Sequence, residues 1–371
     1  MLQVRRLEIS GYRSVQKAGM DLHSLNVFVG KNGTGKTNLY RALQLVQAAA
    51  LGTLAREIAG EGGMGAVLWA GRRVRKAPAR LGLTVVLAAS REDRATYTYE
   101  IEIGTPTPSA AAFALEPQVK TETLYFHDGR RKHILLQRRG PGAEVRDRDG
   151  VSRQLATDLL ASETALSHLD EPGAFPDQHL VRRTLASWRF YHDLRTDSAS
   201  PMRQPSLATV AASLDADGGN LAAVFATLRH IRQDAADLDA AVADAFPGSE
   251  LVVEWPEREA RFGFTYPDFV LDGGGRRVFG QGELSDGTLR YLGLAGALFA
   301  YHRPPLVALN EPEGSLHPEL MAPLAEMIVR ASDRSQVWVV THSIGLADAI
   351  AERTGALAVQ VEKVAGATQL R

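Results

Sequence analysis

The residues most able to do chemistry in this chain come in four groups. The first is Gly30-x-x-x-x-Gly35-Lys36-Thr37. Glycines in such a loop let the backbone turn its N–H groups inward as a nest for an anion, and a helix that starts at its end adds partial positive charge. Lys36 is then placed to reach the terminal phosphates of a nucleotide, and Thr37 to offer its hydroxyl to a magnesium ion. A plain glycine turn before a helix would require neither side chain. Gly30, Asn32, Gly33, Thr34, Gly35, Lys36, Thr37 and Asn38 are accordingly the candidate nucleotide-binding residues.

The second group follows an apolar run at 306–309 and comprises Asn310, Glu311, Glu313, Ser315 and His317. A buried strand that delivers carboxylates at its C-terminal end brings them to a phosphate-bound magnesium and to the attacking water. Glu311 is the candidate base or water-orienting residue, and Asn310 stands on the metal side. The third group is Glu283-Leu-Ser285-Asp-Gly287-Thr-Leu-Arg290, in which Ser285 is suited to cap the next helix and Gly287 keeps the backbone open to an anion. By itself this is only a good helix start. In the fourth, the apolar run 337–340 ends on Thr341, His342 and Ser343. A lone histidine there is most often a turn residue. His342 gains weight because parallel strands bearing the loop, the acidic pair and the histidine would open onto one sheet edge, where α/β folds bind ligands.

The elements needed to hold these groups are legible. Residues 2–9 and 25–30 read as strands, and the pattern from Asn38, apolar at Leu39, Leu43 and Val46, reads as a helix. Strands are expected at 81–87, 96–103, 112–126 and 134–137, as antiparallel hairpins with Gly-containing turns. Residues 150–170 and 205–246 look helical, the latter apolar at Leu214, Leu221, Val224, Leu228 and Ile231 and stopped by Pro247 and Gly248. Short strands at 250–255 and 262–264, a helix from 288 to about 301, a strand at 306–309, a helix after Pro318 and a strand at 337–340 return the chain to α/β. Internal repeats and sustained heptads are absent from the sequence.

Composition bounds the rest. The chain has 371 residues, 42 Lys+Arg against 43 Asp+Glu, and a formal charge of −1, which excludes attachment to DNA or an anionic membrane by bulk charge alone. At 45% hydrophobic and 23% charged it is an ordinary globular sequence with material for a large core. The lack of any cysteine excludes disulfides, thiolate metal sites and cysteine nucleophiles. The longest apolar stretch, 291–301, falls short of the roughly 20 residues that cross a bilayer, and the N-terminus has no secretory apolar region. A cytoplasmic location is expected.

Taken in order, the four groups resemble those of ABC-type ATPase heads of the SMC and RecF families. The opening Arg6-Leu-Glu-Ile-Ser-Gly-Tyr12-Arg13-Ser14, followed by 25–30 and the glycine loop, is similar to RecF-like and OLD-type ATPases, and Leu214-Asp-Ala-Asp-Gly-Gly-Asn220 resembles a stand-alone family of bacterial predicted ATPases. The resemblance covers about 1–50 and 280–345. It implies an α/β P-loop NTPase of the ABC/SMC/RecF head type with an antiparallel β subdomain and a helical lobe. The whole chain 1–371 would be one head, with a nucleotide-binding lobe at 1–139 and 250–371 and an inserted, mainly helical lobe at 140–249. It further implies that Arg13 lies near ATP, that Lys36 and Thr37 hold phosphates and Mg2+, that Ser285 and Gly287 form the signature, that Glu311 activates water and that His342 contacts the γ-phosphate. In such heads the signature of one subunit closes over the ATP of the other, so a homodimer would sandwich two ATPs.

Three departures bear on these expectations. Asn310 stands where the family usually has an aspartate and brings no negative charge, which points to weak magnesium affinity and slow turnover. The signature Leu-Ser-Asp-Gly-Thr fits the RecF-like branch and argues against a transporter. The Q-loop glutamine is either Gln137 or Gln154. The chain ends soon after His342 without a Toprim nuclease segment and lacks coiled-coil arms, so a bare head is expected. The leading function is a DNA-linked ATPase in repair or phage defence, acting on DNA or with a nuclease partner. Its local contacts would be the basic runs 72–76 and 130–132 with Arg138 and Arg139, although a solvated loop or hairpin explains each run as well. The alternatives are a nucleotide-gated binding module with little turnover and the ATPase subunit of a membrane transporter.

Overall fold

In the computed structural model the described residues are 2–72, 79–106, 113, 115–155, 159–232 and 234–371. The basic positions 73–76 and the expected strand residues 112 and 114 lie outside them. Along the chain run β1 (Gln3–Tyr12), β2 (Val15–Asp21), β3 (Leu25–Val29), α1 (Lys36–Leu51), α2 (Leu54–Gly60) and α3 (Met64–Val67). Next come β4 (Arg80–Ala88), β5 (Thr96–Gly104), β6 (Gln118–His127), β7 (Lys132–Arg139), β8 (Gly142–Arg146) and β9 (Ser152–Gln154). There follow α4 (Pro176–Ala186), β10 (Arg189–Tyr191), β11 (Ser206–Leu207), α5 (Leu221–Ala226), α6 (Ala236–Ala245), β12 (Glu250–Glu254), β13 (Glu259–Val270) and β14 (Arg276–Gly280). The last elements are α7 (Asp286–Phe299), β15 (Leu306–Asn310), α8 (Met321–Ser332), β16 (Gln336–Thr341), α9 (Ile344–Thr354), β17 (Val359–Val364) and β18 (Ala367–Leu370).

These elements form two compact units. One comprises Met1–His23, Gly30–Trp188 and Val359–Arg371, the other Ser24–Val29 and Arg189–Ala358. This differs from the expected inserted lobe at 140–249, because residues up to Trp188 belong with the first unit and those from Arg189 with the second. The reason is strand pairing: β8 and β9 extend the antiparallel sheet of the first unit, while β10 pairs in parallel with β15 of the second.

The first unit is built on an eight-stranded sheet in the order β2-β1-β4-β5-β6-β7-β8-β9. Period-2 alternation explains its two faces. Val4, Leu7 and Ile9 of β1, Leu81, Leu83, Val85 and Leu87 of β4, and Tyr99, Ile101 and Ile103 of β5 are all buried, while Glu8, Thr84, Glu100 and Thr123 line the opposite side. The apolar helix α1 ends on Gly52, whose φ of +77° is the left-handed C-cap that glycine adopts without strain.

No helix of the expected length is found among the described residues of 150–170. They hold β9 and a single 3-10 turn, Leu166–His168. Side chains of the sheet have captured the backbone there. Fully buried Glu122 accepts from the N–H groups of Ala165 and Leu166, and fully buried Arg138 donates to the carbonyls of Gly140, Leu160 and Glu163. An intrahelical ladder would need those same groups. Burial raises the Glu122 pKa above the ordinary carboxylate value and lowers that of Arg138. Arg138 therefore cannot serve as a surface DNA contact. The helix expected at 205–246 is likewise broken into α5, a π-helical turn Thr227–Arg232 and α6, and Ile231 is exposed instead of buried.

In the second unit, β10, β15, β16 and β3 form a parallel array. Residues 306–309 and 337–340 are buried on both faces, as a parallel strand requires, and Trp338 stacks on Phe28 with ring centroids 4.1 Å apart. The array's register aligns Asn310 with Val340 and Thr341 with Val29, so the three strands end level with one another.

Candidate nucleotide site

The glycine loop follows Val29 directly. Gly33 and Gly35 have φ of +79° and +100°, left-handed values that disfavour a side chain. Gly35 caps α1 with no side-chain hydrogen bond, and the first turn of α1 carries no acid, so that helix end presents its positive pole unopposed. Lys36 is buried, and its ammonium donates to the carbonyls of Gly30 and Lys31 at 2.6 and 3.0 Å, which folds it back over the loop. Thr34 Oγ1 donates to the Lys31 carbonyl, and Asn38 Nδ2 donates to Ser14 Oγ at 2.7 Å.

Arg13, in the turn between β1 and β2, adopts φ +45° and is held by Glu61, with Nη2 to Oε2 at 2.7 Å; the Tyr12 hydroxyl donates to the same carboxylate. The ion pair that holds Arg13 to Glu61 had no signal in the sequence. Gln137 lies on β7 and Gln154, exposed, on the edge strand β9, which leaves the choice of Q-loop residue open.

The acidic turn is in the second unit. Glu311 leaves β15 with φ +49°, an uncommon value for a non-glycine residue, and its N–H donates to the Val340 carbonyl at 2.7 Å. The strained turn aims the next residues at the end of β16. Glu313, only 7% exposed, accepts through Oε1 from the Thr341 hydroxyl and from the N–H groups of His342 and Ser343. His342 Nδ1 lies 3.3 Å from Glu313 Oε1 and 3.7 Å from Glu311 Oε1. Glu311 and His342 are therefore side by side, and His342 also meets Glu313, a glutamate that sequence reasoning quoted but did not assign. Its signal was the Glu-Pro-Glu spacing, which suits a reversal of the chain.

Ser285 caps α7 as expected, accepting from the Thr288 N–H at 3.1 Å. Gly287 has a physical reason to be glycine, since a Cβ would lie 3.2 Å from the Ser315 carbonyl. The signature segment thus abuts the acidic turn within the second unit. Arg290 of α7 donates to the carbonyls of Leu194 and Glu311, and burial lowers its pKa, opposed by the carboxylates of Asp193 and Glu313. Arg203, missed in the sequence, fastens the start of the segment by donating to the Gly282 and Leu284 carbonyls and to Asp286.

Two buried acceptors, Asn310 Oδ1 and Glu313 Oε2, have no hydrogen-bond partner among the described residues. Lone buried acceptors at strand ends suit a hydrated cation, and the loop's glycines and acid-free helix end suit polyphosphate. Each set, taken within its own unit, suits one part of a magnesium nucleotide: the loop the phosphates, the strand end a cation. Among the described residues no cluster of three or more His, Asp or Glu could hold a metal. Among the same residues no helix is long and apolar enough to cross a membrane.

The chain has the fold of an SMC-type head. The likeness extends to an SMC head bound to the C-winged helix domain of ScpA, at 13% identity over 100% of this chain and 97% of that one, with a TM-score of 0.56. It extends also to the SMC head of Thermotoga maritima, at 15% identity over 100% and 98% with a TM-score of 0.52. A third is the Pyrococcus furiosus Smc head with an extended coiled coil, bound to the C-terminal domain of ScpA, at 13% identity over 100% and 96% with a TM-score of 0.55. The chain belongs to the family described as "AAA domain, putative AbiEii toxin, Type IV TA system", whose profile matches residues 25–348.

Proposed function

We propose that this protein binds and hydrolyses ATP with magnesium and that the nucleotide cycle opens and closes a head-to-head homodimer in the cytoplasm. The observation that carries the reading is the loop at 30–37, with Lys36 folded over its carbonyls and an α1 terminus free of acids. In this reading Lys36 and the loop N–H groups, with Gly30, Asn32, Gly33, Thr34 and Gly35 shaping the nest, bind phosphate oxygens, and Thr37 and Asn310 stand on the metal side. Bound magnesium would neutralise phosphate charge. Glu311 orients the attacking water and accepts its proton, His342 donates a hydrogen bond toward the γ-phosphate, and Ser285 and Gly287 of a second copy complete the site. Arg13 would contact the nucleotide once released from Glu61.

The matched family's description names a putative toxin of a toxin–antitoxin system. We carry to this chain an ATPase engine whose closure gates an effector step in DNA repair or phage defence, on DNA or with a nuclease partner. With Arg138 buried, direct DNA contact would fall to Arg139 and to 130–132, where Lys132 Nζ sits 3.3 Å from the centre of the Tyr125 ring. The test is phosphate release with ATP and MgCl2, with light scattering alongside. Turnover with ATP-dependent dimerisation is expected. Binding without turnover would reduce the protein to a nucleotide-gated module, which is the reading that Asn310 favours. A monomer under every condition refutes the sandwich, and affinity for duplex DNA that ignores salt refutes a direct grip on phosphates.

A further inference from the structure

A hairpin far from the loop in sequence touches it at both ends. β17 and β18 pair antiparallel, and a Cβ on Gly30 would lie 2.3 Å from the Val361 carbonyl. At the other end, a Cβ on Gly35 would lie 2.0 Å from Thr368 Oγ1 and 2.6 Å from Ser14 Oγ. Both glycines are thus required by the hairpin's approach as well as by the anion nest. Thr368 is 2% exposed, and its N–H donates to the Ser14 carbonyl at 2.8 Å.

Its hydroxyl sits in a relay whose direction follows from chemistry. Asn38 Nδ2 can only donate, and it gives to Ser14 Oγ at 2.7 Å. Thr368 Oγ1 donates to the Thr34 carbonyl, which can only accept, at 2.9 Å. The proton between Ser14 and Thr368, 2.7 Å apart, must therefore come from Ser14. The chain Asn38 to Ser14 to Thr368 to Thr34 ties the first turn of α1 to the middle of the loop through two hydroxyls, each bond polarising the next.

We propose that Thr368, with Ser14, is a positioning residue of the nucleotide site: the hydroxyl relay from the β17–β18 hairpin holds the phosphate loop in its anion-binding shape before any ligand arrives. The proposal rests on the reading of 30–37 as a phosphate loop. In this proposal neither residue is given a contact with phosphate. The relay removes the loop's alternative shapes, so its loss weakens ligand binding through the free state.

The test compares Thr368→Val, which keeps shape and drops the hydroxyl, with Thr368→Ser, which keeps the hydroxyl. Amide hydrogen exchange of the peptide covering 30–37 is followed without nucleotide, and the Kd for ATP with MgCl2 is measured by calorimetry. Thr368→Val is expected to speed exchange and weaken ATP about 5-fold or more, roughly the loss of one buried hydrogen bond, and Thr368→Ser to restore both within about twofold. Unchanged exchange in Thr368→Val, or no rescue by Ser, overturns the proposal. If wild-type protein binds no ATP, the nucleotide reading falls, while the exchange arm still decides whether the relay shapes the loop. Should Thr368→Val fail to fold, Ser14→Ala must show the same acceleration. Where both fold, the double variant should be no weaker than Thr368→Val alone, and additive losses would refute a single relay.

Discussion

Replacing Glu313 with alanine tests how the acidic turn is joined to the end of β16. One oxygen, Oε1, receives three donors: the fully buried Thr341 hydroxyl and the N–H groups of His342 and Ser343 at 3.1 and 3.2 Å. Ser343 N–H has a second acceptor in Thr341 Oγ1 at 2.9 Å, so alanine leaves two donors without partners. Each costs about 1–3 kcal/mol, and relief of the carboxylate's own desolvation offsets part of the total, leaving about 2–4 kcal/mol. Glu313→Gln is the informative control. Its amide oxygen can take the place of Oε1 and its NH2 the place of the unpartnered Oε2, so only charge assistance is lost, about 1 kcal/mol. Urea unfolding gives the totals, and native-state amide exchange of a peptide covering 336–346 localises them. An alanine variant within about 0.5 kcal/mol of wild type, or a glutamine variant as damaged as the alanine one, would refute the reasoning.

Glu311→Gln should lower phosphate release by at least about 100-fold, the usual reach of a lost general base, and should hold an ATP-bound dimer in light scattering; an unimpaired rate removes Glu311 from catalysis. Lys36→Ala should weaken ATP at least about tenfold by calorimetry, since it deletes a charge-assisted contact to phosphate, and equal affinity would refute the phosphate loop. Glu122 provides a pH signature. Its raised folded-state pKa means the native protein holds a proton where the unfolded chain has released it, so its contribution falls as pH rises from the ordinary carboxylate value through the shifted one. The stability of wild type relative to Glu122→Gln should therefore improve on acidification through that window in urea titrations, and the opposite slope would show that the carboxylate is not burdened by burial.

The sequence reading went wrong where long-range side chains captured a backbone. Residues 150–170 carry no internal sign that Glu122 and Arg138, on strands formed earlier in the chain, will take their N–H and carbonyl groups. Arg138 looked like half of a basic surface pair because charge patterning says nothing about which face of a strand is covered. The expected lobe at 140–249 missed β8 and β9, which continue the hairpins of the antiparallel sheet, and β10, whose three residues show no period of their own and whose partner β15 lies far along the chain.

What the sequence determined by itself is the local machinery. The glycine loop, the cap at Ser285 and the buried strands before Asn310 and Thr341 follow from spacing and periodicity, because each depends on residues within a few positions of one another, while the head-type fold was implied by the resemblance of these motifs to a known family. Tertiary structure alone decided what braces that machinery. Glu313 holds the end of β16, Glu61 holds Arg13, and Thr368 reaches the loop from a hairpin more than 300 positions away, with |i−j| of 334 to Thr34. Hydrogen bonds of that separation leave no periodic trace, and only the paired strands bring their ends together.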